Sequence, residues 1–219
     1  MGIKNQLNIT YVCSGNTCRS YMAEAITKHL LKTTYLKNQD DLLNKINILS
    51  AGTFTILKSV PKSSKDALAK MDIPAVDSDP TQIGGNQLRY SDLVLTMADS
   101  HRSNIIKNYR NIDQEKIFTL LEMANIILYL ESEKIYRRKP KHDMQPKPTK
   151  TLQDLKNKIH VLKNINREVL LTTNKLDIQD PFGRSSATYL QVAKKIKDNI
   201  IIVFNYLFDT KINREEQKD

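Results

Sequence analysis

The sequence predicts an α/β fold: a doubly wound four-stranded parallel sheet flanked by helices, with a helical basic insert ahead of a late Asp-Pro turn. Three observations predict it. Short β-rich runs alternate with stretches of helical periodicity, the pattern of parallel strands joined by crossover helices. The first of those runs ends in a turn carrying Cys13 and Arg19 that opens directly onto a helix. At 219 residues, the chain can bury the core of one such domain, spanning 1–219, with length left over for an insertion.

Leu7–Val12 alternates apolar and polar residues and is rich in β-formers, so it reads as the first strand. The turn Cys13-Ser14-Gly15-Asn16-Thr17-Cys18-Arg19 follows. Residues 19–32 are expected to be helical, with Met22, Ala25, Ile26, His29 and Leu30 on one stripe and Ser20 as the cap. Further strands are expected at Ile46–Ser50, Asp92–Met97 and Lys116–Leu120, with helices at 63–71 and 99–108. Ala124–Ile135 has a helical pattern, and Arg137–Pro148 is a polar linker punctuated by prolines. Beyond it, Leu152, Leu155, Ile159, Leu162, Ile165 and Val169 recur at helical spacing. A last helix over 184–207 carries Ala187, Leu190, Val192, Ala193, Ile196 and Ile200, ahead of a charged tail expected to fray.

Most of the net charge of +10 lies in residues 124–176, which hold twelve lysines and arginines against five acids. The plainer expectation is an amphipathic helix packed on the domain with a solvated basic face; the functional one is an arm that docks acidic partners or covers a site. Charge gathered in an insert argues against nucleic acid as the partner. The longest apolar stretches, Ile126–Leu130 and Ile200–Phe204, fall well short of the roughly 20 residues of a membrane span, so no membrane partner is expected. Two cysteines five residues apart, without a secretory leader, predict a reducing cytoplasm rather than a disulfide scaffold. No His/Cys/Asp spacing suggests a metal site, and no cofactor is expected.

The turn after the first strand is where the chemistry gathers. A loop feeding a helix N-terminus presents unpaired N–H groups and the positive end of the helix dipole, which favour an oxyanion. The same field favours the anionic sulfur that makes a cysteine nucleophilic. Gly15 allows the backbone to approach an oxyanion without a Cβ, and Asn16 tolerates a left-handed turn. Arg19 supplies a planar fork for two phosphoryl oxygens. Parallel sheets bind ligands outside the carboxyl ends of their strands, and the first strand delivers Cys13 there.

The longer string Val12-Cys13-Ser14-Gly15-Asn16-Thr17-Cys18-Arg19-Ser20-x-x-Ala23-Glu24-Ala25 resembles the signature V-C-x-G-N-x-C-R-S-P-x-A-E of the low-molecular-weight protein phosphatase family. Asp180-Pro181-Phe182-Gly183 resembles that family's downstream Asp-Pro-aromatic element, and Ser50-Ala51-Gly52-Thr53 and Asp92–Met97 resemble its second and third strand ends. The resemblance spans roughly residues 7–123 and 176–207, and residues 124–176 have no counterpart in the family pattern.

The resemblance implies a cysteine-dependent phosphatase acting on phosphorylated proteins in two steps. Cys13 attacks phosphorus, Arg19 and the loop of residues 14–18 stabilise the equatorial oxygens, and Asp180 protonates the leaving group. Asp180 then activates the water that releases phosphate from the cysteinyl-phosphate. Ser20 is implied to bond the Cys13 sulfur, and Asn16 and Ser50 to hold the loop. Cys18 is either a small buried residue or a second thiol that protects Cys13 as a reversible disulfide.

Thr17 and Phe182 are the implied substrate contacts. Tyrosine-specific members usually carry a bulky aliphatic at the position of Thr17 and often a second aromatic at that of Gly183. Thr17 and Gly183 look like the bacterial protein-arginine phosphatase branch, so phosphoarginine is expected to be favoured slightly over phosphotyrosine. The arsenate reductase branch relays oxidation through two further cysteines, and none follows Cys18. A non-catalytic phospho-binding adaptor is expected to have lost its nucleophile, arginine or acid, and all three are present. There are two departures from the pattern. Tyr21 stands where a proline usually sits, and Ala75–Thr81 lacks a supporting histidine, Asp77 being nearest its place.

Overall fold

The computed structural model describes residues 5–76, 78–137, 151–165 and 176–211. Strands β1 (Leu7–Cys13), β2 (Ile46–Gly52), β3 (Leu93–Thr96) and β4 (Ile117–Thr119) form one parallel sheet in the order β2-β1-β3-β4. The chain leaves β1 for one edge and returns to its other side as β3. The topological switch point therefore lies at the carboxyl end of β1, where Cys13 pairs with Gly52.

Side chains alternate across the sheet with period two. Leu7, Ile9, Tyr11 and Cys13 face the larger core, together with Leu95 and Phe118. Val12, Ala51, Val94 and Ile117 face a smaller one, closed by Leu88 of α4 (Gly85–Tyr90) and Ile105 of α5 (Asp99–Asn108). On the larger face, α1 (Arg19–Leu30) packs against β1, β2, α3 (Lys62–Ala69) and α8 (Ser186–Phe208). Covered from both sides, α1 buries every residue from Arg19 to Thr27. The single stripe expected for it is too narrow, and His29, placed on that stripe, is only half-buried.

The other differences are local. A π-helical turn, Leu31–Tyr35, extends α1. The short helix α2 (Asp40–Leu43) and α4 were not expected, being too short to show a period. Helix α6 (Leu120–Arg137) starts directly from β4 rather than at Ala124 and packs on α8. In α8, Val192, Ala193, Ile196 and Ile200 are buried as expected, while in the first turn Tyr189 is buried and Ala187 is exposed.

Helix α7 (Leu152–Lys163) opens on a capping box between Thr151 and Asp154. It buries Leu155, Ile159 and Leu162, worth roughly 1.5–3 kcal/mol each. Lys158 Nζ donates to the carbonyls of Tyr206 and Leu207, both at 3.0 Å, and pairs with Asp209 at 2.5 Å; Lys163 pairs with Asp113 at 2.5 Å. Val169 and the linker beyond Arg137 lie outside the described residues. No helix of the described residues is long and apolar enough to cross a membrane.

Candidate active site

β1 ends at Cys13 and α1 begins at Arg19, leaving residues 14–18 as a loop over the helix N-terminus. The loop's carbonyls are held outward. Cys13 O accepts from Thr53 N at 2.9 Å, Ser14 O from Phe54 N at 2.8 Å, Thr17 O from Ser64 Oγ at 2.9 Å and Cys18 O from Met22 N at 2.8 Å. Because C=O and the next N–H are antiparallel across a trans peptide, the amides of Ser14, Gly15, Cys18 and Arg19 turn the other way, into a cup.

The glycine this cup depends on is Gly52 rather than Gly15. A Cβ on Gly15 meets only the Thr17 side chain, Oγ1 at 3.4 Å, and the left-handed residue of the loop is Asn16, with φ 57°. A Cβ on Gly52 would lie 2.6 Å from Ser14 O and 3.0 Å from Asn16 N, both loop backbone. Gly52→Ala is therefore expected to displace the loop and lower kcat/KM by about a hundredfold, measured on p-nitrophenyl phosphate.

A chain of hydrogen bonds runs behind Cys13. Asn16 Nδ2 donates to Ser50 Oγ at 2.7 Å and to Ser20 Oγ at 3.1 Å, while Asn16 Oδ1 accepts from Thr81 N at 2.8 Å. Ser50 then gives its own proton to Glu24 Oε2 at 2.5 Å, and Glu24 is charge-balanced by Lys28 at 2.6 Å. Ser20, already accepting, has its proton left for the Cys13 sulfur at 3.0 Å or the Ala51 carbonyl at 3.3 Å. Ser20 does not cap α1: the N-cap is Cys18, without a side-chain bond. Tyr21, standing in place of proline, is buried and donates to Val76 O at 2.8 Å. Asp77 lies outside the described residues.

The Asp180 turn reaches this cup because it is tied to the end of β3. Ile178 N donates to Met97 O at 2.8 Å, and Asp177 Oδ1 accepts from Asp99 N, at the start of α5, at 2.8 Å. Arg19 completes the junction: Nη1 donates to Ile178 O at 3.1 Å, and Nη2 pairs with Asp180 Oδ2 at 2.5 Å. Arg19 Nε is buried with no protein acceptor. Asp180 itself remains half-exposed, with its Oδ1 accepting from Phe182 N at 3.1 Å.

Cys13, Ser14, Gly15, Thr17, Cys18, Arg19, Asp180 and Phe182 line one cleft of about 230 Å³. Its lips are apolar, with Phe54 69% and Phe182 59% exposed, joined by Ile56 and Leu57. Both cysteines are free and buried, and Cys18 Sγ lies 3.6 Å from Tyr189 OH. Burial pushes the Tyr189 phenol up from its ordinary value, so it stays a donor.

His101, on α5, closes the side of the cup. It is buried, its Nε2 lies 2.9 Å from Ser14 Oγ, and its Nδ1 has no partner. Burial first, and then the Arg19 cation, lower its pKa from 6.5 to about 4, against the opposing pull of Asp180 and Asp177. The unfolded chain therefore binds a proton below pH 6.5 that the native chain refuses until about 4. This contribution to stability is fully present above 6.5 and lost as pH falls toward 4, on the order of 3 kcal/mol in all. Denaturant midpoints of wild type and His101→Gln, compared across that window, are expected to converge as the medium is acidified.

All the residues expected at the site meet there or directly behind it. Glu24, Gly52, His101 and the lip residues Phe54, Ile56 and Leu57 were not singled out. Glu24 had a sequence signal, an acid four residues before Lys28 on a helix. His101 had none, because only the sheet order brings α5 beside the first loop.

Residues 8–134, more than half of the chain, match the model of the family "Low molecular weight phosphotyrosine protein phosphatase". The low molecular weight protein-tyrosine-phosphatase PtpB of Staphylococcus haemolyticus is 36% identical over 125 residues, covering 55% of this chain and 77% of the relative. The protein-arginine-phosphatase of Bacillus subtilis is 32% identical over 118 residues, covering 53% and 71%. Among solved structures, a YwlE mutant from Bacillus subtilis superposes with a TM-score of 0.60 at 23% identity, covering 92% of this chain and 99% of that one, a likeness of fold. The family match begins inside β1, takes in the whole Cys13–Arg19 loop and ends within α6; on that match, the chain belongs to the low molecular weight phosphotyrosine protein phosphatase family.

Proposed function

We propose that this chain is a cysteine-dependent phosphatase that hydrolyses phosphorylated side chains of proteins through a cysteinyl-phosphate, with phosphoarginine slightly preferred over phosphotyrosine. The observation that carries the reading is the convergence of Cys13, Arg19 and Asp180 on one cleft. A phosphoryl group in the cup takes the inward amides and the Arg19 fork, including the buried Nε that no protein group satisfies. The Cys13 sulfur attacks phosphorus as the bond to the leaving oxygen or nitrogen breaks, and Asp180 hands its proton to that atom. Water then attacks the cysteinyl-phosphate, Asp180 takes the water's proton, and phosphate departs with the thiolate restored.

The preference rests on the walls. Thr17 places a β-branched hydroxyl where a bulky aliphatic would grip a phenol ring, and at the mouth the Asp180 carboxyl offers an acceptor oxygen to guanidinium N–H groups that a phenol ester lacks. The apolar lips Phe54 and Phe182 stack on either plane, and they are what favours phosphotyrosine as the second reading. Two free, buried cysteines suit a reducing cytoplasm. The basic 124–176 segment suits substrates with acidic flanks, although Lys158 and Lys163 are committed to Asp209 and Asp113.

The test is hydrolysis of matched phosphoarginine and phosphotyrosine peptides by wild type and Thr17→Ile. Wild type is expected to cleave phosphoarginine faster, and the substitution to shift the ratio toward phosphotyrosine by about 10-fold or more. Faster cleavage of phosphotyrosine by wild type, with a ratio that Thr17→Ile leaves unchanged, overturns the preference. Failure to cleave either peptide overturns the enzyme assignment.

A further inference from the structure

The Ser14 hydroxyl stands at the rim of the cup, exposed to the cleft and held from behind. His101 Nε2 lies 2.9 Å from Ser14 Oγ, and Arg19 Nη2 lies 3.5 Å from the same oxygen. A hydroxyl has one proton and two lone pairs, so its partners decide where the proton goes. The Arg19 guanidinium only donates. The role of His101 turns on which ring nitrogen carries its single proton.

His101 is 4% exposed, and its Nδ1 is buried without a partner. A proton on Nδ1 would orphan a buried N–H donor, the rarer and costlier fault in folded proteins. A proton on Nε2 leaves only a bare lone pair buried and directs an N–H at Ser14. That tautomer makes Ser14 Oγ an acceptor from both His101 and Arg19, and its own proton is left to point into the cleft.

We propose that His101 is a positioning residue that turns Ser14 into a direct hydrogen-bond donor to a phosphoryl oxygen, adding a side-chain arm to the backbone amides of the cup. The inference rests on the reading of the cup as a phosphate site. His101 never touches the phosphoryl group; it acts through Ser14. The depressed pKa of His101 fits this assignment, because a neutral ring offers only the one N–H. The other charges packed around it are Arg19, Asp180 and Asp177.

The test is a double-mutant cycle on the full chain, read as the Kd of inorganic phosphate by calorimetry and as kcat/KM on p-nitrophenyl phosphate. Ser14→Ala and His101→Ala are each expected to weaken phosphate binding by about tenfold, a hydrogen bond to a charged group. In the Ser14→Ala background, His101→Ala is expected to cost nothing further. His101→Gln, whose amide nitrogen can take the place of Nε2, is expected to restore most of the loss. Additive losses would mean that His101 acts otherwise than through Ser14, and would sink the proposal. If His101→Ala does not fold, Ser14→Ala alone decides: an unchanged phosphate Kd overturns the inference. Failure of the underlying reading looks different, since wild type would then neither bind phosphate nor turn over the ester.

Discussion

Replacing Cys13 by serine is expected to lower kcat by about four orders of magnitude or more, while phosphate binds nearly as well as to wild type. Everything that holds the phosphoryl group, the inward amides and Arg19, is left in place by this change. What it removes is the atom proposed to form the covalent intermediate, and an alkoxide at that position is far harder to form than a thiolate. The Ser20 hydroxyl at 3.0 Å favours a sulfur anion and has no comparable means of generating an oxygen one. Single-turnover kinetics with p-nitrophenyl phosphate, alongside calorimetry with inorganic phosphate, separates the two quantities. A variant that kept a hundredth of the wild-type rate would show that Cys13 is not the nucleophile.

The second large effect is expected at Arg19. Both Arg19→Ala and Arg19→Lys are expected to lower kcat/KM by about a thousandfold, with the lysine rescuing less than a tenth of the loss. Arg19 serves three partners from one plane: the Ile178 carbonyl, the Ser14 hydroxyl and the Asp180 carboxylate. A lysine ammonium is a point charge and cannot hold the acid turn and grip two phosphoryl oxygens at once. Lysine also leaves the Ile178 carbonyl buried and unpaired, so a lower melting temperature should accompany the loss of rate. Near-normal kcat/KM for the lysine variant would show that charge alone, without the fork, does the work.

The parts of the fold legible in the sequence were those whose physics is local. β1 could be read because its alternation spans the whole strand and ends in residues of one chemical purpose. The apolar face of α8 could be read from Val192 to Ile200, and only its first turn differs, where Tyr189 rather than Ala187 turns inward to meet Cys18. The failure at α1 is instructive. A stripe can be counted only where one side of a helix meets solvent, and α1 is sealed by the sheet on one side and by α3 and α8 on the other.

The candidate site divides the same way. The loop and its acid were readable because spacing and residue type carry the chemistry. Glu24, which orients Ser50, and His101, which backs Ser14, act through contacts that exist only once the strands are ordered β2-β1-β3-β4. The apolar lips were hidden for a different reason. Phe54, Ile56 and Leu57 look in sequence like core residues, and only their exposure beside the cleft marks them as its lips.

The ammonium of Lys158, seated on the last carbonyls of α8, makes α7 part of the scaffold. Excising α7 to obtain a minimal enzyme would strip the negative pole of α8, the longest helix among the described residues, of its counterion and uncover the aliphatic residues beneath. That helix starts just past the Asp180 turn and carries the phenol that backs the second cysteine. A trimmed protein would thus report on a loosened catalyst, and this helix is better studied by point substitution than by surgery.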